Sequence, residues 1–242
     1  MKKISSVFLL SVIFMYSQYS SAALKLDRTR IIYPEQDSSI SIEVKNENTD
    51  SPYLAQSWLE DDKGKALERY LTAVPPLVRV NAGEKLIVRL EKLPDAASLS
   101  KEKEHLFYYI IREIPPKAEG KNALQLALQT KVKIFYRPTA LPEKKSNSEF
   151  YPQIKITKKN NGVVLKNTTP YYVVFLAAVD LNNKKVMPNV SPLTLAPYQE
   201  STVNLHSAVP KNLGLIYIDD FGGRPMVTYN CTANCDFVKV SN

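Results

Sequence analysis

The sequence predicts an all-β protein built as two antiparallel sandwiches, and three observations carry that reading. Apolar and polar residues alternate with period two through much of the chain, the pattern of strands with one face in a core. Clusters of turn-forming residues separate these runs. One charged, proline-bounded stretch near 137–148 interrupts the pattern, as a linker between two domains would.

Ile40, Ile42 and Val44 alternate with Ser41, Glu43 and Lys45. Leu86, Val88 and Leu90 alternate with Ile87, Arg89 and Glu91, and Leu124, Leu126 and Leu128 with Gln125, Ala127 and Gln129. Turn clusters fall at 47–52, 61–65, 81–83, 160–162 and 221–223. Short strands at this spacing with polar turns fit antiparallel sandwiches. Beyond the interruption, alternation resumes at Ile154 and Ile156 and continues at 163–165 and 171–179. The expected layout is a first domain at 23–140, a linker at 141–148 and a second domain at 149–242.

Residues 1–22 read as an address and not as fold. Lys2 and Lys3 precede a mostly apolar run of ten at 7–16, and Ser20-Ser21-Ala22 supplies small residues for cleavage, the pattern of a secretory signal peptide. A run of that length is short of the roughly 20 residues that span a bilayer. A mature chain starting near Ala23, exported and carrying 242 − 22 = 220 residues, is expected.

Charge and cysteine content narrow the partners. The chain has 32 Lys plus Arg against 24 Asp plus Glu, so without the two leader lysines the excess is 30 − 24 = +6. The excess is scattered, and the pairs Lys144-Lys145 and Lys184-Lys185 are too small for a nucleic-acid surface. It suits a partner that presents a carboxylate. Cys231 and Cys235 are the only cysteines. In an oxidising compartment such a pair is most simply a disulfide, its spacing being one residue too long for the redox motif.

Catalysis finds little footing. His105 and His206 are the only histidines and lie in no nucleophile or metal motif. Asp219-Asp220 suits an acid–base or metal site in principle, whereas Glu60-Asp61-Asp62 reads as a turn after a strand. Seven glycines in the whole chain leave little for a phosphate loop. The expectation is a non-enzyme with no cofactor, no metal and no use of ATP.

The most informative stretch is 122–138, NALQLALQTKVKIFYRP, long for a strand and with three leucines in phase at its start. Two readings fit. The leucines fill an ordinary core, or they stand on an edge strand kept for a partner. An exposed apolar edge is an aggregation hazard, and strand addition is the recurring use of one. Each leucine buried on a partner would supply about 1.5–3 kcal/mol before ordering costs.

Leu26-Asp27-Arg28-Thr29-Arg30, PYLAQSW at 52–58 and PPLVR at 75–79 carry a resemblance to a family, the PapD-like periplasmic pilus chaperones. It extends through LFY at 106–108, REIPP at 112–116, LQLALQTKVK at 124–133 and Tyr136-Arg137-Pro138. In the second half it adds TPYY at 169–172 and DFGGRP at 220–225. The matches keep their order along nearly the whole mature chain.

The resemblance implies two immunoglobulin-like β-sandwich domains in a boomerang arrangement with an interdomain cleft. It implies a periplasmic chaperone that caps pilus subunits lacking a strand and delivers them to an outer-membrane usher. By motif position, Arg30 and Lys133 would anchor the subunit's terminal carboxylate through charge-assisted hydrogen bonds, with Thr29 as a cleft neighbour. Leu124, Leu126 and Leu128 would be the donor residues that complete the subunit. Arg89, Glu104 and Asp220 would form an interdomain charge network, and Cys231 and Cys235 the second-domain disulfide. The Pro75-Pro76 pair falls where the family commonly has a cis peptide. The short 117–121 loop resembles the branch that mostly builds rod-like pili. A free chain of this kind can cap its own edge by dimerising.

Two departures from the family pattern stand out. His105 follows Glu104 where a small hydroxyl residue or Arg is usual, and Ile110 replaces a strand Asn. Lys133 also lies in the opposite strand phase from Leu128. The alternative reading, a secreted pilus subunit or adhesin, would require a free N-terminal donor segment, whereas the expected mature chain opens directly into Leu26-Asp27-Arg28-Thr29-Arg30.

Overall fold

The computed structural model of the chain describes residues 23–117 and 125–241. The expected leader, Leu124 and most of the 117–121 loop lie outside the described residues.

The first domain contains β1 (Leu24–Leu26), β2 (Arg30–Pro34), β3 (Ser39–Asn46), β4 (Tyr53–Glu60) and β5 (Leu71–Val74). It continues with β6 (Leu77–Val80), β7 (Lys85–Lys92), β8 (His105–Ile114) and β9 (Gln129–Arg137). One sheet has the order β1-β3-β7-β5 and the other β2-β9-β8-β4-β6. Their inner faces meet in a core that includes Ile31, Tyr33, Ile42, Val44, Val88 and Leu90. The period-two residues of β3 and β7 therefore turn inward as expected, with Ile40 and Leu86 partly buried at the edge of this core. The bond between Val74 and Pro75 is cis.

The second domain contains β10 (Ile154–Lys159), β11 (Gly162–Asn167), β12 (Val173–Asp180), β13 (Lys185–Val186) and β14 (Leu193–Leu195). It ends with β15 (Glu200–Asn204), β16 (Asn212–Ile218), β17 (Met226–Asn230) and β18 (Asp236–Ser241). Its sheets run β10-β11-β15 and β13-β12-β16-β17-β18, with β14 also on β12. Cys231 and Cys235 are joined and buried in its core. Between the domains, Asn147–Phe150 forms one helical turn, α1.

One change of sheet shapes everything that follows. β1 pairs with β3, but after Asp27–Thr29 the chain crosses to the other sheet and β2 runs parallel to β9. β2 covers only Lys133–Arg137 of β9, while β8 covers Gln129–Tyr136. The first residues of β9 consequently keep one edge unpaired among the described residues.

β9 starts at Gln129, not at Asn122. The reason is partnership: β8 ends at Ile114, and the last backbone bond of this ladder is Glu113 N–H to the Leu128 carbonyl. Ile110 causes no break. It is fully buried within an unshifted β8, opposite Trp58 on one side and Lys131 on the other.

Candidate functional site: a two-domain cleft and an open strand edge

Alternate positions of β8 and β9 have separate destinations. Val132, Ile134 and Tyr136, with Phe107, Tyr109 and Ile111, enter the first-domain core. Leu106, Tyr108 and Phe135 point the other way and, with Ile32, pack on Tyr172, Val174 and Ile218 of the second domain. Lys133 and Arg137 share the phase of Phe135, so they face the second domain too. This removes the phase conflict seen in the sequence. In the sequence Leu126 and Leu128 have the same parity as the core-facing residues of β9, and Lys133 has the opposite one.

Arg30 and Lys133 are register neighbours on β2 and β9, which places their backbones one strand spacing, about 4.8 Å, apart. Both are half-buried. Burial is the main force lowering the Lys133 ammonium below its usual range, and the positive charges of Arg30 and Lys131 add to it. Burial likewise lowers the Arg30 guanidinium, against the pull of Asp220 and Asp219. Arg30 donates Nη1–H to the Ile218 carbonyl at 3.2 Å, and its buried Nε has no hydrogen-bond partner. Lys133 makes no ion pair among the described residues. Two desolvated cations with donors to spare attract an anion, and a carboxylate can accept from both.

The cleft beside them is lined from the first domain by Asp27, Thr29, Arg30 and Ile32, and from the second by Asp220, Phe221 and Gly222. Its second-domain lip is a firm turn. Asp219 Oδ1 accepts the backbone N–H groups of Phe221 at 3.0 Å and Gly223 at 2.7 Å. Gly222 has φ of +84° and lies so near Thr29 that a Cβ there would sit 3.0 Å from the hydroxyl. Phe221 projects from this turn almost wholly into solvent.

Leu126 and Leu128 are 65% and 45% exposed. They precede β9 and are not among the core residues of the first domain. Leu124 lies outside the described residues.

The interdomain charge network differs from expectation in one member. Arg89 is exposed on β7, opposite Ser41 and Val74, in the sheet away from the second domain. The arginine that joins Glu104 and Asp220 is Arg137. Its Nε donates to Glu104 Oε1 at 2.8 Å, and its Nη2 reaches Asp220 Oδ2 at 2.9 Å. Lys144 completes the group through Asp220 Oδ1 at 2.6 Å. Glu104 also accepts the Tyr172 N–H at 2.8 Å, and its own N–H donates to the Pro170 carbonyl at 2.9 Å.

Burial dominates at Glu104 and pushes its carboxyl up, against Arg137 and Lys144. At Asp220 burial is outweighed by Lys144 and Arg137, and its carboxyl titrates below its usual range. The signal for Arg137 was present in its phase, two residues beyond Phe135 on the face toward the second domain. Lys144 carried no such signal, since it sits in the expected linker. His105 Nε2 lies 2.8 Å from the Ser100 carbonyl, a local contact at the start of β8. No cluster of three metal-binding side chains occurs among the described residues.

Comparison with known proteins agrees with this architecture. Residues 23–142 match the family described as "Pili and flagellar-assembly chaperone, PapD N-terminal domain", and residues 149–229 match "Pili assembly chaperone PapD, C-terminal domain". The chain is 37% identical over 221 residues to the chaperone protein PapD of Escherichia coli, covering 91% of each. It is 35% identical to the probable fimbrial chaperone YfcS of Escherichia coli K12, covering 96% of this chain and 92% of that one. The crystal structure of the YadV chaperone superposes with a TM-score of 0.70 at 28% identity, covering 84% of this chain and 96% of that one. With both domain models matched in order and such identity along nearly its full length, the chain belongs to the PapD-like pilus chaperone family.

Proposed function

We propose that this chain is a periplasmic chaperone of pilus subunits. It captures a subunit that lacks a strand, completes that subunit's sandwich with the segment running into β9, and hands it to an outer-membrane usher. In this reading Arg30 and Lys133 hold the subunit's terminal carboxylate, with Thr29 beside them. Leu124, Leu126 and Leu128 are the side chains lent to the subunit core. Glu104, Asp220 and Arg137 fix the setting of the two domains, so that the anchor keeps one geometry. Export is by cleavage of residues 1–22. Nothing in the chemistry of the cleft calls for ATP or for nucleic acid.

The observation that carries the proposal is the meeting of two half-buried cations, Arg30 on β2 and Lys133 on β9, beside the open edge at the start of β9. A strand edge gives backbone hydrogen bonds to an incoming strand, and exposed leucines give side-chain pockets something to hold. The cations supply a fixed end point. The test is co-purification from the periplasm with the subunits encoded beside it, in a one-to-one complex. Arg30→Ala and Lys133→Ala are expected to lose the complex while the circular dichroism spectrum stays unchanged. Full binding by both variants would reject the carboxylate anchor.

A further inference from the structure

Glu113 is a charge in an unusual place. It continues the core-facing phase of Phe107, Tyr109 and Ile111 on β8 and is only 6% exposed. Among the described residues its carboxylate has one hydrogen bond, from the Leu24 N–H to Oε2 at 2.8 Å. No Lys, Arg or His reaches it to form an ion pair among the described residues. A glutamine would accept one N–H equally well. A carboxylate taken out of water calls for a counter-charge.

The missing positive charge has an obvious source one residue away. Leu24 and Ala23 are both buried, the first held by its register with Asn46 and the second by the Glu47 N–H donated to its carbonyl at 2.7 Å. Ala23 is the residue at which the mature chain is expected to begin. Its nitrogen lies one peptide unit, about 3.8 Å of chain, from the N–H that already touches Glu113.

We infer that Glu113 is the seat of the mature amino terminus. The inference rests on the export reading above. Hydrolysis of the Ala22–Ala23 bond by a leader-cleaving peptidase consumes one water and leaves a carboxylate on the leader and an α-ammonium on Ala23. That ammonium pairs with Glu113; in the uncut chain the same nitrogen is a neutral amide and offers no charge. The position has a functional consequence, because the Glu113 N–H holds the Leu128 carbonyl at 3.0 Å, at the root of the donor segment. Removal of the leader thus fixes β1 and the start of the donor segment together, and the chaperone reaches its binding form only after export.

The test is a coupling measurement on the full mature chain. Wild type and Glu113→Gln, each beginning at Ala23, are compared with the same proteins acetylated at the α-amino group. Acetylation is expected to lower the folding equilibrium constant at least tenfold in wild type and less than twofold in Glu113→Gln. Equal losses in the two backgrounds would overturn the inference, as would a mature mass showing that the chain starts elsewhere. Should Glu113→Gln fail to fold, NMR titration of the wild-type α-amino group decides. A pKa above the ordinary value of about 8 supports the pair, and one at or below it rejects it. Failure here would leave subunit capture untouched, since that is read separately through Arg30 and Lys133.

Discussion

The two halves of β9 share one backbone conformation and similar residue types, yet they live in different surroundings. Lys133–Tyr136 has β2 on one side and β8 on the other. Gln129–Val132 has β8 alone, because the chain spends residues Leu24–Leu26 in the opposite sheet before crossing over. The difference teaches that strand propensity does not decide whether an edge is closed. The neighbour decides, and here the neighbour arrives one half-strand late.

The comparison can be broken from either end: loss of the domain-joining contacts of the closed half should act on stability, while changes at the cation pair and in the segment leading into the open half should act on binding. The largest effect is expected from Arg137→Ala. It leaves Glu104 buried without its cation, at a cost of about 3–5 kcal/mol, read by urea denaturation. Small-angle X-ray scattering should show a broadened distribution of domain settings; an unchanged profile would deny the network its orienting role. Next comes Arg30→Ala, with subunit affinity down about 100-fold, read by calorimetry, and the unfolding midpoint nearly unmoved. The loss matches the 2–5 kcal/mol found when one member of a hydrogen-bonded charge contact is removed.

Leu126→Glu sharpens the contrast. Its side chain is exposed, so stability should change by no more than about 0.5 kcal/mol, while subunit delivery falls about tenfold or more. Normal pilus assembly by this variant would speak against the donor segment. A smaller effect is expected from acid. The Asp220 carboxyl titrates below its ordinary value of 3.8 when folded, so its contribution is complete above that value and is lost as pH falls through the lower folded one. The stability gap between wild type and Asp220→Asn should therefore shrink on going from pH 5 to pH 3. Smallest of all, Ile110→Val should cost about 1 kcal/mol, since β8 already runs unbroken past that residue.

Much of the architecture could be read in the sequence because sandwiches are written in period two. Ile42, Val44, Val88 and Leu90 announce their inward face without any knowledge of topology, and Cys231 and Cys235 are close enough in sequence to announce each other. Arg30 and Lys133 came from motif position, and their meeting depends on a parallel pairing that no local pattern encodes. The start of β9 was misjudged because alternation continues through 124–128 although the partner strand ends at Ile114. Arg89 also came from motif position and was misassigned: alternation says only that it points outward, and the sheet order puts outward on β7 away from the second domain. Glu113 entered only as part of the REIPP motif at 112–116 and was given no role, since a glutamate near a strand end is ordinary until its burial is known.

The opposed phases of Leu128 and Lys133 also make the strand a measuring stick. Five steps of extended chain separate them, about 16 Å at 3.3 Å per step, and under the proposed carboxylate anchor the stick has its zero mark at the cations. A guest tail one residue too long would present every side chain to the wrong side. A tail two residues too long would face correctly but sit one notch out of place. Affinity should then rise and fall with tail length instead of declining smoothly, and partners would be sorted by the distance between their last residue and their first apolar one.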